Sequence, residues 1–215
     1  MVRKPVSEPS SKASAKAVDA YHHGDLRAAL ITAAREALET MAPEAVTLKS
    51  LALRLGVSQP APYRHFENRE ALLAAVAADG FKRFSEAQAA AAEGAPPAER
   101  FERSCLAYLA FGQANRGVYR LMFASRVMSD SDDEALDRAS TAAFDALLQG
   151  VARFAPPERV YSTAVWIWST LHGLVMLDAE GLTSGPIKAH ASPADVVRQM
   201  VSVLASSPSP GGDKE

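Results

Sequence analysis

The sequence predicts an all-α fold: an N-terminal three-helix unit containing a helix-turn-helix, followed by a larger helical body. Three observations predict it. Apolar residues recur three or four positions apart along most of the 215 residues. No stretch of useful length alternates apolar and polar residues as a strand would. Glycine and proline fall between the apolar stripes, where helices end.

Taken in order, residues 1–20 are Ser, Ala, Lys and Pro without apolar periodicity and read as a disordered, mildly basic arm. Leu26, Leu30, Ala33, Ala34, Ala37 and Met41 form the first stripe. Thr47 stands as a cap before a second stripe of Leu48, Leu51, Ala52 and Leu55, which Gly56 stops. Ser58 starts a short helix expected to run to about His65. Asn68 then caps a longer one with Leu72, Leu73, Val76, Phe81 and Phe84 inward. After the break at Gly94, Pro96 and Pro97, helices are expected from about 99, over 117–124, 133–154 and 157–180, and over 193–204. Residues 206–215 read as a second disordered tail. The corresponding division is an arm (1–20), a helix-turn-helix unit (21–68), a linking helix (69–93) and a helical body (94–205).

Composition narrows the function classes. One cysteine, Cys105, excludes an intramolecular disulfide framework and fits a reducing, cytoplasmic setting. The net charge of −2 hides an asymmetry: 12 Lys/Arg stand against 9 Asp/Glu up to Ser85, and 11 against 16 beyond it. A basic head on an acidic body suits an anionic partner at one end. The start of the chain lacks the apolar run of a secretory signal. Residues 160–177 carry no Asp, Glu, Lys or Arg and approach the length of a membrane span. Their Ser, Thr and His favour instead a helix buried between a core and a partner subunit, with no membrane partner. No phosphate-binding glycine loop, nucleophile elbow or zinc-type His pair is present, so the expectation is a non-enzyme with no cofactor and no metal.

The informative block is 47–73. Two helical turns, a Gly-Val-Ser turn and a second short segment have the dimensions of a helix-turn-helix. Gly56 suits the left-handed angle of the tight turn, and Val57 can plug the angle between the helices. The outer side of the second segment, with Ser58, Gln59, Ala61 and Arg64, is small and polar enough to approach base edges, where Gln59 can both donate and accept. Pro60 falls in a first turn whose N–H groups lack partners anyway. Pro62 is costlier, because it is expected to push Ala61 away from helical angles and distort the segment.

Leu51-Ala52, Leu55-Gly56-Val57-Ser58, Tyr63-Arg64-His65-Phe66 and Arg69-Glu70-Ala71-Leu72-Leu73 resemble the DNA-binding domain of the TetR family of regulators. Tyr21 to Arg27 upstream, and Trp168 with His172 and Gly173 downstream, resemble one branch of that family. The resemblance implies a DNA-binding transcriptional regulator, with repression the family-level expectation. It implies that Thr47 holds a phosphate and that Lys49 reaches a phosphate or a guanine. Ser58, Gln59, Pro60 and Ala61 match base-reading positions, and Tyr63, His65 and Arg69 match phosphate contacts. Pro62 departs from the bulky aliphatic of many members, which leaves the tilt of the segment open.

The remaining readings keep two sides. Tyr63 and Phe66 can be core aromatics, His65 a surface histidine, and His22 with His23 a capping or phosphate-side pair. Met122, Phe123 and Met128 can be core, as can His172. Two copies would read a palindromic operator in double-stranded DNA with recognition segments ~34 Å apart, as a homodimer joined through 157–180 and 193–204. A small, mainly apolar effector is expected among the helices between 99 and 180, lined by Phe101, Cys105, Tyr108, Met122, Phe144, Trp168 and His172. The alternatives are a DNA binder without a ligand, and a helical small-molecule binder or enzyme whose helix-turn-helix is structural.

Overall fold

The structure is a computed structural model that describes residues 26–123, 127, 131–184 and 190–206. Eight α-helices account for nearly all of it, with no strand among the described residues. In chain order they are α1 (Leu26–Leu38), α2 (Leu48–Arg54), α3 (Arg69–Ala92), α4 (Pro97–Ala114), α5 (Arg116–Phe123), α6 (Glu134–Val151), α7 (Val160–Ala179) and α8 (Pro193–Ser206). The stripe on α1 is buried as expected through Leu30, Ala33, Ala34 and Ala37, while Met41 lies beyond the helix and is exposed.

Local chemistry sets the helix ends. Thr47 Oγ1 accepts from Ser50 N–H, and Ser50 Oγ accepts from Thr47 N–H, both at 3.1 Å. This reciprocal box satisfies two N–H groups that the helix leaves free. At the other end Gly56 sits at φ +68°, Val57 N–H reaches Ala52 O at 3.0 Å and Gly56 N–H reaches Leu53 O at 3.2 Å. That pattern is a Schellman motif, and it ends the helix where the glycine predicts. Asn68 Oδ1 accepts from Ala71 N–H at 2.8 Å to start α3. Asp133, at the start of the helix expected over 133–154, caps α6 by accepting from Ala135 and Leu136 N–H.

The head of α1, α2 and the segment after it packs on the first turns of α3. Arg35 pairs with Asp79 at 3.1 Å and Arg54 with Glu36 at 2.7 Å. From Phe81 onward α3 leaves the head and becomes a wall of the body, with Phe84 edge-on to Tyr108 and Phe111. α5 lies across the junction. A Cβ on Gly117 would meet Leu38 O at 2.0 Å, so only a glycine lets the start of α5 sit on the end of α1. Glu39 completes the joint, its carboxylate accepting from Gly117 and Val118 N–H at 3.2 and 3.3 Å. An anion over a helix N-terminus is stabilising.

α7 faces two ways. Ala164, Ile167, Leu171 and Val175 pack into the core, while Tyr161, Val165, Trp166 and Leu177 are exposed. With its preceding turn, Pro157–Ala179 is long and apolar enough to cross a membrane by length and composition alone. Within the single chain, burial therefore covers one face of this helix rather than all of it.

Candidate functional site

Two regions can carry chemistry: the outer surface of the head and a cavity in the body. On the head, 58–65 is not the short α-helix expected. It is a turn followed by a 3₁₀ turn at Pro62–Arg64. Its bonds are three residues long: Ala61 N–H to Ser58 O at 3.0 Å and Arg64 N–H to Ala61 O at 3.2 Å. Pro62 has no N–H to take the Ser58 carbonyl in an α-helical ladder, and Ala61 N–H takes it instead, which is the physical reason for the tighter winding. Ala61 itself contradicts expectation. It keeps helical angles, φ −60° and ψ −43°, because the surrounding contacts override the pressure from Pro62. Pro62 and Phe66 are buried beneath the segment and anchor it, with the Arg27 guanidinium 5.2 Å from the Phe66 ring.

That anchoring decides what is presented outward. Ser58, Gln59, Pro60, Tyr63, Arg64 and His65 are exposed, with Tyr63 at 55 %, and Ala61 is half-buried. Lys49 is exposed on α2, and Thr47 stands half-buried at the free N-terminus of that helix. The nine residues singled out for DNA contact thus lie on one turn-helix unit and its flanks. Arg69 differs from its expected role as an outward contact. Its Nε donates to Val46 O at 3.0 Å, Nη2 donates to Pro43 O, and Nη1 pairs with Glu70 at 3.2 Å. The guanidinium ties the start of α3 to the turn before α2. Only two of its five N–H groups stay uncommitted.

The cavity holds about 760 Å³ and lies between α3, α4, α5, α6 and α7. Phe101, Cys105, Tyr108, Met122, Phe144 and Trp168 line it as expected. His172 does not. Its Nδ1 is 2.8 Å from Tyr119 Oη, which is in turn 2.8 Å from Tyr108 Oη. His172 thus stands behind the wall, two hydrogen bonds from the lining. The remaining wall, Phe81, Phe84, Ser85 and Gln88 of α3, was missed, as was Phe123. The every-third-or-fourth pattern that marked Phe81 and Phe84 as inward could have located them, because an inward residue faces either a core or a hollow.

Burial tunes the polar groups here. The Cys105 thiol is pushed up to about 12, by desolvation first and by the Glu102 charge second, and so stays protonated. Desolvation raises Tyr108 and Tyr119 above the ordinary phenol range, and holds His172 below its usual value of 6.5. With His172 a neutral ring, Tyr108 can donate to Tyr119 and Tyr119 to His172, a satisfied relay between α4, α5 and α7. No buried side-chain polar atom lacks a partner among the described residues. Those residues also hold no cluster of three or more metal-ligating side chains. His22, His23 and Met128 lie outside the described residues.

Comparison with known proteins agrees with both regions. Residues 30–76 match the family model of bacterial regulatory proteins of the tetR family, and residues 101–204 match that of the tetracyclin repressor-like C-terminal domain. A protein of unknown function from Rhodococcus sp. RHA1 is 30 % identical, covering 87 % of this chain and 97 % of its own, with a TM-score of 0.74. The class C tetracycline repressor of Escherichia coli is 51 % identical over 51 residues, which are 24 % of this chain and 23 % of that protein. AibR, solved with isovaleryl coenzyme A and operator DNA, shares the fold at 17 % identity and TM-score 0.58, over 83 % of this chain and 96 % of its own. With one model matching the head and a second matching the body, the chain belongs to the TetR family of bacterial transcriptional regulators.

Proposed function

We propose that the protein is a cytoplasmic, homodimeric repressor that binds a palindromic operator and is released by a small, mainly apolar ligand in the body cavity. One observation carries the reading: α5 contributes Met122 and Phe123 to the cavity wall and is seated on the head through Gly117 and Glu39. A ligand that displaces this short helix acts directly on the end of α1. AibR, which shares the fold and was solved with isovaleryl coenzyme A and operator DNA, supports the same assignment.

On this reading Thr47 and the free N–H groups of α2 hold a phosphate, and Lys49 reaches a phosphate or a guanine. Ser58, Gln59, Pro60 and Ala61 approach base edges, while Tyr63 and His65 contact phosphates. Arg69 serves chiefly to position the turn before α2, with its two uncommitted N–H groups available to a phosphate. The head comprises 21–68, joined by the helix at 69–93 to a body of 94–205. The exposed face of α7, with α8, supplies the dimer contact, where Val165, Trp166 and Leu177 are apolar groups in want of a partner surface. Release requires that the ligand bind the splayed state more tightly than the DNA-bound one, and a coupling of ~1–3 kcal/mol weakens operator binding several-fold to about a hundred-fold.

Titration of mixed-sequence duplex DNA at several salt concentrations tests the head. The affinity is expected to fall with a slope of about −0.9 per neutralised phosphate on a log–log plot. Tyr63→Ala should weaken all sequences alike, whereas Gln59→Ala should change which sequence is preferred. A salt-independent affinity, or none, contradicts the reading.

A further inference from the structure

The cavity has a direction that the word apolar does not capture. Its buried end is formed by Phe81, Phe84, Tyr108, Met122 and Leu171. Its exposed end carries Gln149 and two arginines, Arg100 and Arg153. These arginines share one end, because the Phe101 ring beside Arg100 lies against Gly150 and, tilted at 47° with centroids 5.3 Å apart, against the Phe154 ring beside Arg153. No Asp or Glu is among the described lining residues.

Most of the guanidinium capacity is left over. Arg100 donates Nε–H to Ala95 O at 3.0 Å, and its two terminal nitrogens have no hydrogen-bond partner among the described residues. The neighbouring acids are turned elsewhere, Glu99 to Arg103 at 2.8 Å and Glu102 to Arg198 at 3.9 Å. Among the described residues neither Arg100 nor Arg153 forms an ion pair. Two cations beside a desolvated, acid-free hollow raise the local affinity for an anion, and a planar guanidinium matches a carboxylate or sulfonate in bidentate fashion.

Building on the proposal that the cavity holds an effector, we infer that the effector is an anionic amphiphile, its aromatic or aliphatic body among the phenylalanines and its carboxylate-like end between Arg100 and Arg153. The cavity volume accommodates such a body with room to spare, since drug-sized ligands occupy hollows of about 300–1,000 Å³.

A matched pair of fluorescent probes tests this on the full chain. N-phenyl-1-naphthylamine is neutral, and 8-anilinonaphthalene-1-sulfonate is the same ring system with a sulfonate. The sulfonate is expected to bind about tenfold more tightly, as one or two charge-assisted hydrogen bonds provide. Arg100→Gln with Arg153→Gln should abolish that preference and leave the neutral probe unchanged, and Ala143→Trp, which fills the hollow, should exclude both. A sulfonate that binds no better than the amine, that ignores the double variant, or that survives Ala143→Trp overturns the anion site while leaving the effector cavity standing. If neither probe binds, the cavity reading fails and this inference falls with it.

Discussion

At the scale of single residues, three polar groups of the body, Tyr108, Tyr119 and His172, are committed to one another. Tyr119 is almost fully buried and makes both of its hydroxyl contacts, to Tyr108 and to His172. The folded chain holds His172 below its ordinary 6.5 by desolvation, so the unfolded chain takes up this proton first on acidification. Above about pH 6.5 the ring is neutral in both states and its contribution is whole. Below that, stability is lost as pH falls toward the folded-state value. His172→Gln removes this component while keeping a polar group. Urea unfolding from pH 8 to pH 5 should therefore show the wild type losing more stability than the variant, and parallel profiles would contradict the assignment. The sequence had already placed Trp168 and His172 on one side of an apolar helix. It did not show that a tyrosine from α5 would come between the histidine and the hollow, because that requires knowing how three helices meet. Arg69 carries the same lesson. Its spacing from Asn68 and Glu70 marked the start of α3, but the carbonyls of Pro43 and Val46 that occupy its guanidinium are more than twenty residues away.

At the scale of elements, the caps and stripes were the most legible features. Thr47, Gly56 and Asn68 each end or begin a helix where their backbone chemistry predicts. The recognition segment was half legible: Pro62 forecast distortion, but not its form as a 3₁₀ turn with Ala61 still at helical angles. The joint between α1 and α5 left no local signal, since Gly117 reads as an ordinary helix glycine and Glu39 as a surface acid. Its geometry carries a firm expectation. Gly117→Ala forces a Cβ to within 2.0 Å of Leu38 O, a backbone atom that cannot rotate away. Overpacking of this kind costs about 1–3 kcal/mol, and a thermal melt should show a lower Tm with the helical signal retained at low temperature. An unchanged Tm would mean that the two helices do not meet as described.

At the scale of the whole molecule, α3 and α5 join the head to a hollow body, and the proposed function has α7 join two copies. The charge asymmetry between the ends of the chain and the apolar stretch of 160–177 pointed to this organisation from sequence. The position of the cavity did not, because a hollow is made by what several helices leave unfilled. The proposed twofold dimer would tie these parts to function: one helix-turn-helix alone contacts too few phosphates and bases for tight, specific binding, whereas a dimer reads two half-sites in register. The most direct measurement is therefore selection of fragments from the source genome by the purified protein at near-physiological salt. A short palindrome is expected, with half-sites about one helical turn apart and enrichment lost on Tyr63→Ala. Recovery of no common sequence, or enrichment that survives Tyr63→Ala, would contradict the proposed function.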